Sequence, residues 1–218
     1  MTEGGAPGHA ELTDEQQPRP VQERRQQFDG AKWDVVTDRV ELDPDTVVDR
    51  DVVLHPGAVG IVALDDLDRV VLVRQYRHPV ASLLWEIPAG LLDDPGESPW
   101  QTAARELVEE AGLRADRWDT VVDLYSSPGM SSETLRVFLA RGLSEVSADE
   151  RPAPKDEERD MTVTRVALDA LVEQIGHGRL HNALAVAGIL ATEQARQRGW
   201  RGLRPPDDPW PGPDWGLS

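Results

Sequence analysis

The stretch that decides the fold reads Gly90-Leu-Leu-Asp-Asp-Pro-Gly-Glu97 and resumes as Arg105-Glu-Leu-Val-Glu-Glu-Ala-Gly-Leu113. Three of its four glutamates, Glu106, Glu109 and Glu110, lie within about one helical turn of each other. Because like charges at this spacing repel each other, a stable fold needs a cation to neutralise them. Carboxylate oxygens suit a hard divalent ion, most often Mg²⁺, with Mn²⁺ as the alternative. The pattern therefore predicts a metal site and a phosphate-bearing substrate.

The segment that carries these glutamates has the sequence signals of a helix. Ser98 is a good N-cap, Pro99 fits the first helical position, and Gln101 completes a capping box. Gly112 is a natural residue to end the helix. The helical period places one apolar stripe toward the core and the glutamates on the opposite face. The stripe consists of Trp100, Ala104, Leu107, Val108 and Ala111. Taken alone, the glutamates also fit a solvated acidic face.

The complete frame resembles the Nudix box, written Gly-x5-Glu-x7-Arg-Glu-U-x-Glu-Glu-x-Gly-U, where U is a bulky apolar residue. The spacing matches from Glu97 to Leu113, but six residues rather than five separate Gly90 from Glu97. The turn-forming sequence Asp93-Asp-Pro-Gly96 can absorb the extra residue, so we expect a longer loop and an intact metal site. The resemblance implies an α/β fold, an α/β/α sandwich with a mixed sheet in which the box forms a loop-helix-loop.

Four further segments resemble the ADP-ribose pyrophosphatase branch of the Nudix hydrolases. They read Arg74-Gln-Tyr-Arg77, Trp85-Glu-Ile-Pro-Ala-Gly90, Ser126-Ser-Pro-Gly-Met130 and Asp156-Glu-Glu-Arg-Asp160. Arginines at a strand end can clamp a pyrophosphate, and a tyrosine beside them can pack on a flat ring. Ordinary surface arginines are the alternative interpretation. The residues that we expect to bind substrate are Arg74, Tyr76, Arg77, Glu86 and Met130.

The resemblance also implies roles for the residues of the box. Glu106 and Glu110 would be the main Mg²⁺ ligands, with Glu109 assisting and the carbonyl of Ala89 completing the site. Arg105 would belong to the catalytic machinery by bracing the loop against the helix through Glu97. Because all the box glutamates are present, a metal-dependent enzyme is favoured over a silent fold.

The expected general base lies outside the box. In this branch a glutamate from a distant loop often takes the proton from the attacking water. Here that loop contains Glu157, which we expect to be the base, and Glu158 as the second candidate. A solvated acidic loop is the alternative interpretation.

The implied reaction is Mg²⁺-dependent hydrolysis of a nucleoside diphosphate-sugar, with ADP-ribose giving AMP and ribose 5-phosphate. Alternatives are another nucleotide-sugar pyrophosphatase acting on ADP-glucose or GDP-mannose, a broad dinucleotide hydrolase, and a catalytically silent Nudix fold that binds a ligand to regulate a partner.

Composition limits the other classes of function. The net charge of −17 argues against binding to nucleic acid or to an anionic membrane surface. The absence of cysteine excludes disulfides and a thiol nucleophile. No window of about 18 apolar residues and no secretory signal are apparent, so we expect a cytoplasmic protein.

The expected organisation is a single domain with two tails. Residues 1–28 are polar and rich in glycine and proline, which predicts a disordered N-terminal tail. Residues 29–200 would form the hydrolase domain, and residues 201–218 an extended tail rich in proline and tryptophan. A strand pair is expected within residues 33–42, and a long acidic loop at residues 143–160. The resemblance implies a homodimer in which the strands of residues 29–55 reach over the partner.

Overall fold

The computed structural model describes residues 12–147, 149–151 and 161–209. Its helices are α1 (Pro99–Ala111), α2 (Leu168–Gly176) and α3 (Ala183–Gln197). A short 3₁₀ turn, His78–Val80, connects the fifth and sixth strands. The strands are β1 (Val21–Phe28), β2 (Asp34–Asp43), β3 (Thr46–Leu54), β4 (Ala58–Ala63), β5 (Arg69–Arg77), β6 (Ser82–Glu86), β7 (Ala89–Leu91), β8 (Leu113–Tyr125), β9 (Thr134–Glu145) and β10 (Thr162–Ala167).

The strands form three sheets. The central sheet is mixed and has the order β7-β4-β9-β8, in which β4 and β9 run parallel and the other pairs run antiparallel. A second sheet has the order β10-β5-β6, and an N-terminal sheet has the order β1-β2-β3. The predicted α/β fold with a mixed sheet is therefore confirmed.

Strand β4 is buried along its whole length because helices cover both of its faces. Val59 and Ile61 join a core cluster that includes Leu107 of α1. Val62, which points to the other face, joins a cluster that includes Ile189 of α3. Each such side chain contributes about 1.5–3 kcal/mol by leaving water. This layering fixes α1 against one face of the central sheet, in agreement with the sandwich that the resemblance implied.

Helix α1 has the ends that the sequence predicts. The Ser98 side chain accepts from the Gln101 amide, and the Gln101 side chain accepts from the Ser98 amide, which completes the capping box. Gly112 ends the helix in the left-handed conformation with φ of 65°. The apolar stripe is displaced, however, because the buried residues are Thr102, Ala103 and Leu107.

The prediction that Trp100 lies in the core is wrong. Its side chain is 39% exposed, because the helical face toward the sheet is centred on Ala103 and Leu107. Trp100 lines instead a cavity of about 460 Å³ beside residues 206–209.

The N-terminal region differs from the expectation in two respects. The predicted disordered tail includes residues that form β1, which pairs with β2. Arg24 of β1 makes two hydrogen bonds of 2.7 Å with the buried carboxylate of Asp38, which holds this polar strand in place. The predicted strand pair within residues 33–42 is a single strand, and its partner in the hairpin is β3.

The C-terminal region is also more ordered than expected. Residues 203–209, here called the strap, lie against β8 and β9. The main chains of Arg204 and Thr120 pair with each other, and the fully buried guanidinium of Arg136 donates to the carbonyls of Asp208 and Pro209. The same guanidinium binds the Asp123 carboxylate at 2.7 and 3.0 Å. Residues 210–218 lie outside the described residues.

The predicted acidic loop begins later than expected, because β9 continues to Glu145. Both candidates for the general base, Glu157 and Glu158, lie outside the described residues. Among the described residues, no helix is both long and apolar enough to span a membrane.

Candidate active site

The loop that precedes α1 is attached to the helix by Glu97. The Arg105 Nε lies 3.1 Å from both carboxylate oxygens of Glu97, and the Thr102 hydroxyl donates to the same carboxylate at 3.1 Å. This is the Arg105–Glu97 contact that the sequence analysis predicted. The extra loop residue is accommodated in a turn, in which Asp94 accepts from the amides of Gly96 and Glu97. The longer loop therefore leaves the contact between loop and helix intact.

Arg105 also contacts the carboxylates further along the helix. Its Nη1 lies 2.8 Å from Glu106 and 3.2 Å from Glu109. Partial burial disfavours the charged guanidinium, but the attraction of Glu106 and the hydrogen bonds to Glu106 and Glu97 outweigh it. The pKa of Arg105 is therefore raised above its ordinary value. One guanidinium thus offsets the negative charges of Glu97, Glu106 and Glu109.

Strand β7 brings its main chain against the acidic face of α1. The amide of Ala89 donates to Oε2 of Glu110 at 3.0 Å. Gly90 lies so close to Glu106 that a Cβ added at Gly90 would stand 2.3 Å from the Glu106 Cγ. The absence of a side chain at Gly90 therefore makes room for the Glu106 carboxylate, and Glu106 and Glu110 both face β7.

The chemistry of the donor set suits a divalent ion, since the carboxylates of Glu106 and Glu110 both face the main chain of β7. The side chains of Glu106 and Glu109 are 14% and 18% exposed, which gives a small ion access to them. In the described part of the chain, no three His, Cys, Asp or Glu side chains are arranged to hold a metal ion. The carboxylates of Glu106 and Glu109 are both paired with Arg105.

The substrate-binding residues predicted on β5 do not share one face. Arg77 forms a two-point ion pair with the buried Glu86, at 2.9 and 2.6 Å. Arg74 lies instead over the ring of Trp85, 5.4 Å from its centre. Strand alternation puts Arg74 and Tyr76 on the side opposite Arg77. Arg74 and Arg77 therefore lie on opposite faces of β5.

Of the two faces of β5, the one with Arg77 is nearer to the carboxylate helix. Val71, on the same face as Arg77, belongs to the core cluster that contains Leu107 of α1. Val70 and Leu72, on the other face, belong to the cluster packed by α2 and α3. We therefore place Arg77 and Glu86, and not Arg74, on the side of the sheet that carries the box.

Met130 is exposed at the tip of a loop that joins β8 to β9 and is attached to β3. The amide of Val53 donates to the Met130 carbonyl at 2.8 Å, and the amide of Ser132 donates to the Val53 carbonyl at 3.0 Å. The His55 imidazole lies 3.5 Å from Glu133 and stacks on Trp33. Burial lowers the pKa of His55, against the attraction of Glu133. The N-terminal sheet thus supports the loop that presents Met130.

Sequence reasoning missed one arginine at this site. The Nη2 of Arg151 donates to the main-chain carbonyls of Glu109 and Glu110, at 3.1 and 3.0 Å. No local sequence motif predicts this contact, because about 40 residues separate Arg151 from Glu109 and Glu110.

A family model for the NUDIX domain matches residues 54–184, which include β4, the whole of α1 and β9. The chain belongs to the Nudix hydrolase family. Hydrolases of this family generally require a divalent metal ion, which agrees with the carboxylates on α1.

Two relatives named ADP-ribose pyrophosphatase are similar to this Nudix protein over most of their length. The protein from Mycobacterium tuberculosis (strain ATCC 25618 / H37Rv) is 45% identical over 83% of this chain and 86% of its own length. The protein from Bacillus subtilis (strain 168) is 35% identical over 76% and 88%. A methanol dehydrogenase activator from Bacillus methanolicus is 34% identical over 74% and 85%.

The fold also has a counterpart among solved structures. A crystal structure described as an ADP compounds hydrolase superposes with a TM-score of 0.71 and covers 86% of this chain and 100% of that one. At 22% identity, this similarity supports the fold alone.

Proposed function

We propose that this Nudix hydrolase cleaves the pyrophosphate bond of ADP-ribose and releases AMP and ribose 5-phosphate. The observation that carries the proposal is the meeting of Glu106 and Glu110 with the main chain of β7, beside Arg105. The choice of ADP-ribose over other derivatives rests on the 45% identical relative of that name.

The proposed ligands of the ion are Glu106 and Glu110, assisted by Glu109 and the carbonyl of Ala89. The proposed ion is Mg²⁺, with Mn²⁺ as the alternative. When bound, such an ion offsets the charge of the pyrophosphate, polarises a phosphorus and makes a bound water more acidic. For Glu106 to act as a ligand, it must share its carboxylate between the ion and Arg105.

We propose two roles for Arg105 in the reaction. Its contact with Glu97 fixes the loop, and its contacts with Glu106 and Glu109 orient two carboxylates that would otherwise repel each other. A site oriented before substrate arrives avoids the cost of ordering these side chains during the reaction.

A water molecule attacks one phosphorus of the pyrophosphate, a carboxylate takes the proton of the water, and the bridging phosphorus–oxygen bond breaks. We propose Glu157 as the carboxylate, with Glu158 as the second candidate; both lie outside the described residues. The departing phosphate takes the electron pair of the broken bond. Orientation and charge neutralisation provide most of the rate enhancement in such a reaction.

We further propose that Arg77 contacts the substrate phosphates and that Glu86 orients it. A buried carboxylate that makes a two-point pair fixes a guanidinium more firmly than a solvated one does. Arg74, Tyr76 and Met130 remain predicted substrate contacts.

The protein is proposed to be a homodimer in the cytoplasm. The N-terminal sheet and the segment that follows β1 leave large apolar side chains exposed, among them Phe28 at 58% and Trp33 at 47%. Apolar surface of this kind is characteristic of an interface. Sedimentation at assay concentration should give the mass of a dimer, and a fully active monomer would contradict this part of the proposal.

Product analysis over a panel of nucleoside diphosphate derivatives tests the proposed substrate. The panel contains ADP-ribose, ADP-glucose, GDP-mannose and a dinucleotide, each with Mg²⁺. We expect the highest kcat/KM for ADP-ribose, with AMP and ribose 5-phosphate in equal amounts. A higher value for ADP-glucose or GDP-mannose would reassign the substrate, and no cleavage of any member would favour a silent ligand-binding protein.

A further inference from the structure

The last turn of α1 carries an unusual concentration of negative charge. It contains Glu109 and Glu110, and the carbonyl ends of a helix add a partial negative charge of their own. Helices often offset this with a lysine or an arginine in the last turn, but α1 has no basic residue there. Arg105 of the same helix pairs with the Glu109 side chain, but the groups that bind the carbonyls of Glu109 and Glu110 come from elsewhere in the chain.

Those groups come from the segment that follows β9. We call residues 146, 147 and 149–151 the stem. The amide of Val146 donates to the Gly112 carbonyl at 2.9 Å, and Arg151 donates to the carbonyls of Glu109 and Glu110. The stem thus binds three main-chain carbonyls at the end of α1.

The stem is itself held in a fixed shape. The amides of Glu150 and Arg151 donate to the Ser147 carbonyl at 3.0 and 3.2 Å, which forms a turn. Glu150 accepts from the Ser147 hydroxyl at 3.0 Å and from Arg114 of β8 at 3.2 Å. The Arg151 guanidinium is therefore presented from a supported turn.

Gly112 makes room for this guanidinium. A Cβ added at Gly112 would lie 3.2 Å from Nη1 of Arg151, closer than an ordinary contact. Its positive φ ends the helix, and its missing side chain lets Arg151 reach the carbonyls.

We propose that Arg151 is a positioning residue for the hydrolytic reaction. It bridges two consecutive carbonyls and so fixes the backbone from which the Glu109 and Glu110 side chains project. Both hydrogen bonds come from Nη2, whose donor directions are fixed by the planar guanidinium, whereas the ammonium of a lysine is carried on a flexible stem. The inference rests on the proposed function, since it concerns the residues proposed to hold the ion.

The test compares three variants of the full-length protein. Arg151→Gln removes the charge and shortens the side chain, and Arg151→Lys retains the charge and N–H donors but loses the planar guanidinium. Arg117→Gln is the matched control, because it removes an arginine charge from an exposed position on β8 whose partner is Asp119. For each variant, the dissociation constant of Mn²⁺ is measured by electron paramagnetic resonance without substrate, and kcat, KM and melting temperature are measured alongside.

The direction of the change in Mn²⁺ affinity distinguishes a positioning role of Arg151 from a direct effect of its charge. Loss of a positive charge near a cation site, acting alone, strengthens Mn²⁺ binding. Loss of backbone order weakens it. We expect Arg151→Gln to weaken Mn²⁺ binding by about 3- to 10-fold and to lower kcat by about 10-fold with KM within about twofold, because small misplacements of catalytic groups are costly.

Arg151→Lys should recover less than half of the lost kcat, and Arg117→Gln should match the wild type. Unchanged or tighter Mn²⁺ binding in Arg151→Gln would overturn the proposal, as would full recovery with lysine. A lower melting temperature with unchanged kcat would also overturn it by reducing Arg151 to a structural role.

The outcome is separable from that of the proposed function. If the wild type binds Mn²⁺ but does not cleave ADP-ribose, the proposed substrate fails, and the Mn²⁺ constants of the variants still decide the role of Arg151. If the wild type cleaves ADP-ribose and the variants behave like the control, only the role of Arg151 fails.

Discussion

Replacement of Gly90 by alanine should disable the site without altering a charged residue. The added Cβ would stand 2.3, 2.4 and 2.5 Å from the Cγ, Oε1 and Cδ atoms of Glu106. Gly90 has no positive φ, so the backbone accepts alanine. The carboxylate must therefore move by about 1 Å to restore an ordinary contact, and a displacement of that size can cost about 10²-fold in rate.

The effect of Gly90→Ala on stability should be much smaller. Overpacking costs about 1–3 kcal/mol, and the reduced freedom of the unfolded chain returns about 0.4–1 kcal/mol. We expect the free energy of unfolding to fall by no more than about 2 kcal/mol, because the Glu106 side chain has solvent into which it can shift.

The assay measures kcat for ADP-ribose at saturating Mg²⁺, together with urea unfolding. The control is Gly176→Ala at the end of α2, where an added Cβ meets nothing within 4 Å and φ is not positive. A Gly90→Ala variant with the kcat of the wild type would refute the assignment of Glu106 to the metal site.

Three further predictions concern the base, the strap and pH. Glu157→Gln should lower kcat by about 10²–10⁴-fold with little change in melting temperature, whereas Glu158→Gln should leave kcat unchanged. The reverse result would make Glu158 the general base. Two fully active variants would show that this loop does not provide the base. Arg136→Met should lower the free energy of unfolding in urea by about 3 kcal/mol, because it breaks the buried ion pair with Asp123. This is the lower end of the range for such pairs, since Arg204 still neutralises Asp123. A loss below about 1 kcal/mol would contradict the prediction. Burial lowers the pKa of His55 below 6.5, so the unfolded chain binds more protons as pH falls below that value. The wild type should therefore lose more free energy of unfolding than His55→Gln between about pH 7.5 and pH 5.5, and equal losses would refute the effect.

The parts of the fold that could be predicted depend on residues close together in sequence. The capping box of Ser98 and Gln101, the end at Gly112 and the Arg105–Glu97 contact all lie within one short segment. Their geometry follows from local backbone preferences, so spacing alone indicates it. The carboxylates of the box were predictable for the same reason.

The parts that could not be predicted depend on distant partners. Strand β1 is polar, and seven of its eight residues are exposed, so it lacks the apolar alternation that marks a strand. It forms because β2 provides hydrogen bonds and the Asp38 partner for Arg24. The strap likewise depends on Arg136, which lies 72 residues before Asp208, and Arg151 lies beyond a whole hairpin from α1.

The separation of Arg74 from Arg77 has a different cause. Both arginines lie near the end of one strand, and their odd spacing places them on opposite faces. The buried carboxylate of Glu86 forms its ion pair with Arg77.

The most direct test of the central claim is the turnover of ADP-ribose by the wild type and by Glu110→Gln, each in Mg²⁺ and in excess chelator. Glu110 faces β7 through the Ala89 amide, and glutamine retains the size of the side chain but loses its charge. We predict that AMP and ribose 5-phosphate form rapidly only with wild type and Mg²⁺. Equal turnover by Glu110→Gln in Mg²⁺, or undiminished wild-type turnover in chelator, would contradict a metal-dependent site on α1.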